Sequence, residues 1–455
     1  MENAVKARRR YLSLGTMILA IVACAGFYGA SLASPEEKAW QLGFLFSQVA
    51  IISIVLWQAC DPFADAAQWI GRVFRLPGSV RGATLDAVAS SMPELFSGIF
   101  FVVLAFSAAG DIEADRIAAG AEGYGATIAT CAGSAIYNMI LIPAFCAIVI
   151  FFRRRSRPTI DIEDEVIIRD GLWFIGCELL LIAFLFRNQM EWWMGCVFLG
   201  LYAVYIGQLT LNALTYRWRW RSVRRHIRKQ GEGKSEEEIY EAMKEAGEKV
   251  TRQLVHRAYA EHLAHGKPKE EREWNDQAEF LFGFFSVRLN LITVPLVLLG
   301  STLLAAGACY FLVEATRSTA VVLGVPAFFV AVVMTAAASS LPDTFLAIGA
   351  ASRGDDSGAV SNAFGSNIFD ICVCLSIPLF VGSYLTGWQP VSLMQDGEPI
   401  RGLVTLRILL VTLSALTLGI MWHKRRLTIF KAIILCFLYL IFLGYAVLGS
   451  LGMIN

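Results

Sequence analysis

Eleven stretches of mostly apolar residues, each about the 20 residues a helix needs to cross the hydrocarbon core of a bilayer, constrain this chain more than any other feature. They fall near residues 12–32, 43–62, 82–107, 123–151, 167–187, 191–215, 284–313, 318–350, 357–385, 401–422 and 427–449. In hydrocarbon every backbone N–H and C=O must be paired within the protein, so runs of this kind read as helices spanning the membrane. The distribution of charge agrees. Only 17% of the 455 residues are charged against 56% hydrophobic, and 28 of the 77 charged residues lie between Arg217 and Glu279. The expected class is therefore an all-α polytopic membrane protein. A formal net charge of +1 argues against a nucleic-acid partner, which needs a basic surplus to meet phosphate.

The first apolar stretch, within residues 1–34, follows Arg8-Arg9-Arg10 and ends in Ala30-Ser31-Leu32-Ala33-Ser34. A secretory signal peptide and a retained signal-anchor helix both fit. The remaining ten spans can be oriented by their basic flanks. Arg153-Arg154-Arg155 with Arg157, the run from Arg217 to Lys229, and Lys424-Arg425-Arg426 all fall on one side, expected to be cytosolic. Asp111, Glu113, Asp115 and Glu122, and separately Asp396 and Glu398, fall on the other. The first membrane half is residues 35–215 and the second 284–455, five spans each, with a polar cytosolic segment at 216–283 between them. That segment reads as a helix over Ser235 to Leu263, opened by a capping box of Ser235 and Glu238, and either a solvated linker or a regulatory or partner-binding element fits it, with no protein partner specified by the sequence. Trp218 and Trp220 among arginines suit an anionic membrane surface.

The ten cysteines lie in or beside apolar runs without CxxC spacing and read as small apolar residues. All five histidines sit in polar connections, so neither a haem nor a soft-metal site is expected within the membrane, and no cofactor is implied.

A sequence repeat carries the functional signal. Ala89-Ser90-Ser91-Met92-Pro93-Glu94 recurs as Ala338-Ser339-Ser340-Leu341-Pro342-Asp343, and Gly133-Ser134-Ala135-Ile136-Tyr137-Asn138 as Gly365-Ser366-Asn367-Ile368-Phe369-Asp370. The two repeats occupy residues 82–151 and 318–385. Five spans separate them, so the second copy enters the membrane inverted, and such repeats place a transporter's binding site near the midplane. The acid-to-glycine separation is 39 residues in the first copy and 22 in the second. The extra residues coincide with Ser107 to Gly123 and are expected to lengthen an outer loop.

The residue types have a chemical rationale. Pro93 and Pro342 carry no N–H, which frees the carbonyls of Ala89 and Ala338 to face a cation. Ser90, Ser91 and Glu94, with Ser339, Ser340 and Asp343, share helix faces at spacings of three and four, as do Ser134 with Asn138 and Ser366 with Asp370. The set is all oxygen and includes three carboxylates, which suits calcium or sodium. A charged carboxylate at the membrane centre costs about 2.5–3.5 kcal/mol on insertion scales, and these segments contain no Lys or Arg to offset it. Mobile cations are the natural counterions. Buried acids protonated as packing glue remain the alternative. Asp86 and Glu178 are isolated membrane acids for which structural and functional roles stay open, and Asp161, Glu163, Asp164 and Glu165 read as a solvated face.

GATLDAVASSMPELF and AAASSLPDTF, with GSAIYN and GSNIFD, resemble the paired alpha-repeats of the cation/calcium exchanger superfamily, most of all its potassium-dependent sodium/calcium exchangers. The stretch from Arg169 to Asn188 with Glu191-Trp192-Trp193 is similar to that branch too. The resemblance implies a ten-helix inverted-repeat exchanger (5+5) in which sodium moving one way drives calcium, with potassium, the other. It implies central ligands at Glu94 and Asp343, completed by Ser90, Ser91, Ser339, Ser340, Ser134, Asn138, Ser366 and Asn367, with Asp370 setting potassium coupling. It favours the cell surface, although an internal membrane fits the same residues. Ala89 and Ala338 depart from the family's usual glycine, and alanine resists unwinding by about 0.8–1.0 kcal/mol more than glycine. Three rivals remain open: a proton- or other-cation-coupled calcium exchanger, a channel, and an intramembrane aspartyl protease built on an acid dyad, although the chain lacks a GxGD motif.

Overall fold

In the computed structural model the described residues are 2–74, 76–110, 113–154, 158–162, 166–230, 235–248, 250, 254–255, 258–259, 276–395 and 398–453. Over these the chain forms α1 (Glu2–Ala33), α2 (Lys38–Val73), α3 (Gly78–Ala108), α4 (Glu113–Arg153) and α5, a π-helical turn Val166–Asp170 running into Gly171–Leu185. Then come α6 (Trp192–Gln230), a short polar helix α7 (Glu236–Glu245), α8 (Thr293–Leu323), α9 (Ala327–Ser352), α10 (Asp356–Leu385), α11 (Leu403–Trp422) and α12 (Ile429–Ser450). Among the described residues ten helices are long and apolar enough to cross a membrane. With the shorter α5 they make the ten-helix body, plus the N-terminal apolar helix α1, which lies along α2.

The core is built from α3, α4, α9 and α10, whose apolar windows are 61–72% buried within the protein, against at most 39% for the other long spans. Those outer helices present Leu, Ile, Val and Phe side chains to the surroundings, as lipid-facing helices do. The packing is symmetric: α12 lies on α4 as α6 lies on α10, and α2 pairs with α8.

Short antiparallel ladders test the predicted sidedness. Ile160–Asp161 pairs with Arg426–Leu427, joining two connections assigned to the basic side. Gln189–Met190 pairs with Val391–Ser392, joining two assigned to the opposite side. The Asp356 carboxylate likewise meets Arg154 at 2.7 Å, which puts the start of α10 on the basic side.

Three local expectations change. The extra residues of the first repeat extend α4 rather than a loop, since helix begins at Glu113. The Ala-rich run from Ala118 favours helix, and Arg116 anchors it by donating to the Leu385 carbonyl at 2.7 Å. The capping box of Ser235 and Glu238 is present, but this helix ends at Glu245, where Gly247 turns the chain at φ 77. Residues 254–255 and 258–259 are helical again, and the other positions of the expected helix from 251 up to Leu263 lie outside the described residues. The apolar face of α7, Ile239 and Met243, packs with Leu254 against Trp220, Val223 and Ile227 at the end of α6. Trp220 is therefore buried in a small soluble core, while Trp218 is exposed. Asp111, Arg155, Arg157, Glu163, Asp164, Glu165, Asp396 and the segment after residue 259 up to 275 lie outside the described residues.

Candidate ion-binding site

Both repeat helices depart from α geometry at equivalent places. Gly82–Asp86 in α3 and Ala331–Thr335 in α9 are π-helical turns, each one turn before the Ser-Ser-x-Pro-acid motif of its own repeat. Single π turns widen a helix locally and often sit beside functional groups. The glycines of the second motif pack into these turns crosswise. A Cβ on Gly133 would stand 2.1 Å from the Val332 carbonyl oxygen, and one on Gly365 would stand 2.5 Å from the Ala83 Cα. Each half thus inserts its glycine against the π turn of the other half, and only glycine permits that approach. This reciprocal contact brings α4 and α10 alongside the acids of α3 and α9.

Proline acts differently in the two copies. α3 continues through Pro93, whereas α9 breaks at Ser340 before restarting at Leu341. Ala338 does not prevent that local unwinding. Ala89 and Ala338 are both buried beside their motifs.

The side chains converge on Ser134 of α4. Its Oγ lies 3.0 Å from Glu94 Oε1, 3.1 Å from Asp370 Oδ2 and 2.9 Å from Ser340 Oγ. Ser340 Oγ is itself 3.4 Å from Glu94 Oε1, and Asn138 Nδ2 donates to Ser134 Oγ at 3.3 Å. Ser134 has a single hydroxyl hydrogen and cannot donate to both carboxylates. Asp343 is held by a second set: Ser366 Oγ donates to its Oδ1 at 2.6 Å, Asn362 Nδ2 to the same oxygen at 3.1 Å, and Asn138 Nδ2 reaches Oδ2 at 3.5 Å. Ser90 Oγ joins through Ser366 at 3.4 Å and donates to the Asp86 carbonyl.

Glu94, Asp343 and Asp370 are fully buried, and among the described residues no Lys or Arg pairs with any of them. Glu94 Oε2, Asp370 Oδ1, and the amide oxygens of Asn138, Asn362 and Asn367 are buried without a hydrogen-bond partner. Every one of these is an acceptor. The three amides point their N–H groups at protein acceptors, Asn367 at the Ala135 carbonyl, so flipping them would set acceptor against acceptor. A buried unsatisfied polar atom costs about 1–3 kcal/mol, and oxygen acceptors left over on several residues of the site suit a cation. No three His, Cys, Asp or Glu side chains among the described residues are close enough to grip a metal by themselves. Serine and asparagine oxygens are needed to complete a coordination shell.

Most of the expected ligands therefore meet. Ser339 Oγ bonds the Ala336 carbonyl of its own helix at 3.2 Å and also lies against the Glu94 carboxylate. Ser91 is buried on α3 beside the site. Asn362 was not singled out by the repeat, because the equivalent position of the first copy is Thr130, whose hydroxyl turns back to Ala126. Its spacing of four residues from Ser366 was the available signal. Asp86 is not a free acid: Arg81 joins it at 2.9 Å and Asp355 at 3.0 Å. Glu178 lies apart, accepting from Ser414 of α11 at 2.8 Å. Asp170, which the sequence reading passed over, is tied to Arg169, Tyr205 and Ser361.

A family profile described as "Sodium/calcium exchanger protein" matches residues 44–211 and 293–448, both membrane halves without the central segment. The sodium/potassium/calcium exchanger 1 of Gallus gallus is 26% identical over 196 residues, which is 42% of this chain and 26% of that protein. The chain thus spans about a quarter of that relative's length in the matched region. The sodium/potassium/calcium exchanger 2 of Gallus gallus is 22% identical over 552 aligned positions, covering 93% of this chain and 80% of the relative. Among solved structures, that of an H+/Ca2+ exchanger, CAX, is similar with a TM-score of 0.56 and 14% identity, over 98% of this chain and 92% of that one. This likeness establishes a shared fold.

Proposed function

Because this chain belongs to the sodium/calcium exchanger protein family, we propose that it is a secondary active antiporter that exchanges sodium for calcium, with potassium carried alongside calcium. The observation that carries this reading is the group of buried, partnerless carboxylate and amide oxygens around Glu94, Asp343 and Asp370. Calcium takes six to eight oxygens at about 2.3–2.6 Å, and sodium uses the same ligand types. Glu94 and Asp343 are the central ligands. Ser90, Ser91, Ser134, Asn138, Ser339, Ser340, Ser366 and Asn367 complete the shell with the Ala89 and Ala338 carbonyls. Asp370 supplies the charge that potassium neutralises. The names of the relatives support the choice of ions.

Exchange rather than leak follows from electrostatics. Reorienting the site empty would carry uncompensated carboxylates through a low-dielectric interior, which costs several kcal/mol per ion. Bound calcium, or several sodium ions, removes that barrier. The basic connections then face the cytosol by the positive-inside rule, and the cell surface is the expected location. The named relatives are exchangers and not enzymes, which sets the protease reading aside.

A proton is the second candidate coupling ion, because Glu94 Oε1 and Asp370 Oδ2 both approach one hydroxyl and a proton could also relieve that crowding. Radiocalcium uptake into sodium-loaded proteoliposomes distinguishes the two. Uptake that requires the sodium gradient, rises with external potassium and vanishes in Glu94→Gln supports sodium exchange. Uptake driven by a proton gradient and indifferent to sodium would replace it.

A further inference from the structure

Asn362 sits on α10 one helical turn before Ser366 and two before Asp370, so the three share a face. It is buried, its Nδ2 donates to Asp343 Oδ1 at 3.1 Å, and its Oδ1 has no partner. α10 begins at Asp356, which pairs with Arg154 on the basic side, so Asn362 lies between that side and Ser366. The arrangement is not mirrored: Thr130, at the equivalent place in the first repeat, spends its hydroxyl on Ala126. Glu94 has no amide companion of this kind. The two acids of an otherwise symmetric site thus face different surroundings.

We propose that Asn362 is an ion ligand on the basic-side flank of the site, where its Oδ1 meets an alkali or alkaline-earth cation entering from that side while its Nδ2 keeps Asp343 aimed. This rests on the exchange reading above and assigns a one-sided ligand within it. One amide then does two things that a purely structural asparagine does not. It lowers the concentration at which cation saturates the site from the basic side, and it leaves saturation from the opposite side nearly unchanged, because the first repeat supplies no counterpart there.

The test uses the full chain, reconstituted with known orientation, and radiocalcium flux measured with calcium varied on one side at a time. Wild-type protein must first show cation-driven calcium flux; its absence would overturn the exchange reading itself, and this inference with it. Given that flux, Asn362→Ala is expected to raise the half-saturating calcium concentration on the basic side about tenfold, the scale of one lost contact to a charged group. On the opposite side the rise is expected to stay below about twofold by the same reasoning. Asn362→Asp, which keeps the oxygen, is expected to restore the wild-type value or lower it while slowing maximal flux. Equal effects on both sides, or no effect in Asn362→Ala, would overturn the inference. If the alanine variant fails to assemble, Asn362→Thr, which copies the first repeat's residue, carries the same prediction.

Discussion

Replacing Asp370 by asparagine tests whether the central acids are charged and held apart from balance. Glu94 Oε1 and Asp370 Oδ2 each lie within 3.1 Å of Ser134 Oγ, so they are at most about 6 Å apart. Two unit charges about 6 Å apart repel by roughly 3 kcal/mol at an effective dielectric constant of about 20. Asparagine keeps an oxygen for Ser134 to donate to and removes the charge. The variant should therefore be more stable than wild type in buffer free of calcium, sodium and potassium, by a substantial part of that repulsion. Calcium should then stabilise it less than it stabilises wild type, because a ligand stabilises only in proportion to its affinity for the folded state. The assay is thermal melting of purified protein in detergent, with a bulky organic cation as the only counterion, followed by calcium titration. A variant that melts at or below wild type without cations, and gains as much from calcium, would refute the reasoning.

Two further outcomes follow from the same geometry. Asp370→Asn should retain sodium-driven calcium flux in proteoliposomes while losing its potassium dependence, and potassium dependence persisting unchanged would remove that role from Asp370. Gly133→Ala should destabilise the protein by about 1–3 kcal/mol, the usual range for overpacking, since its Cβ would press on the Val332 carbonyl at 2.1 Å. Gly365→Ala should do the same against Ala83, and melting temperatures like wild type in both would mean the halves are not locked by these contacts.

Much of this was legible in the chain. The apolar runs mark the spans because lipid leaves the backbone no other choice, and the basic clusters place two connections on a common side, as the pairing of Ile160–Asp161 with Arg426–Leu427 also does. The repeated motifs pointed to Glu94, Asp343, Ser134, Ser366 and Asp370 because each appears twice in the same order. What repetition could not reveal is what differs between the copies. Asn362 stands where the first copy has Thr130, and α9 breaks at Ser340 where α3 runs on through Pro93. Nor could local pattern show the crosswise contacts of Gly133 and Gly365, which exist only once the two halves are assembled. Asp86 reads as a lone acid in the sequence because its partner, Arg81, lies five residues before it, and Arg81 in turn also binds Asp355 from the other half of the chain. The polarity of residues 107–123 suggests a loop, whereas the alanines among them favour helix, and α4 begins at Glu113.

The central claim is that one carboxylate-rich site serves calcium and sodium in turn. Equilibrium binding of radiocalcium to the purified protein, titrated with sodium at constant ionic strength, tests it most directly. Sodium is predicted to raise the apparent calcium Kd steeply, as more than one ion displaces calcium, without lowering the number of sites, and Glu94→Gln is predicted to abolish the binding. Calcium bound with an affinity that sodium does not change would contradict the shared site.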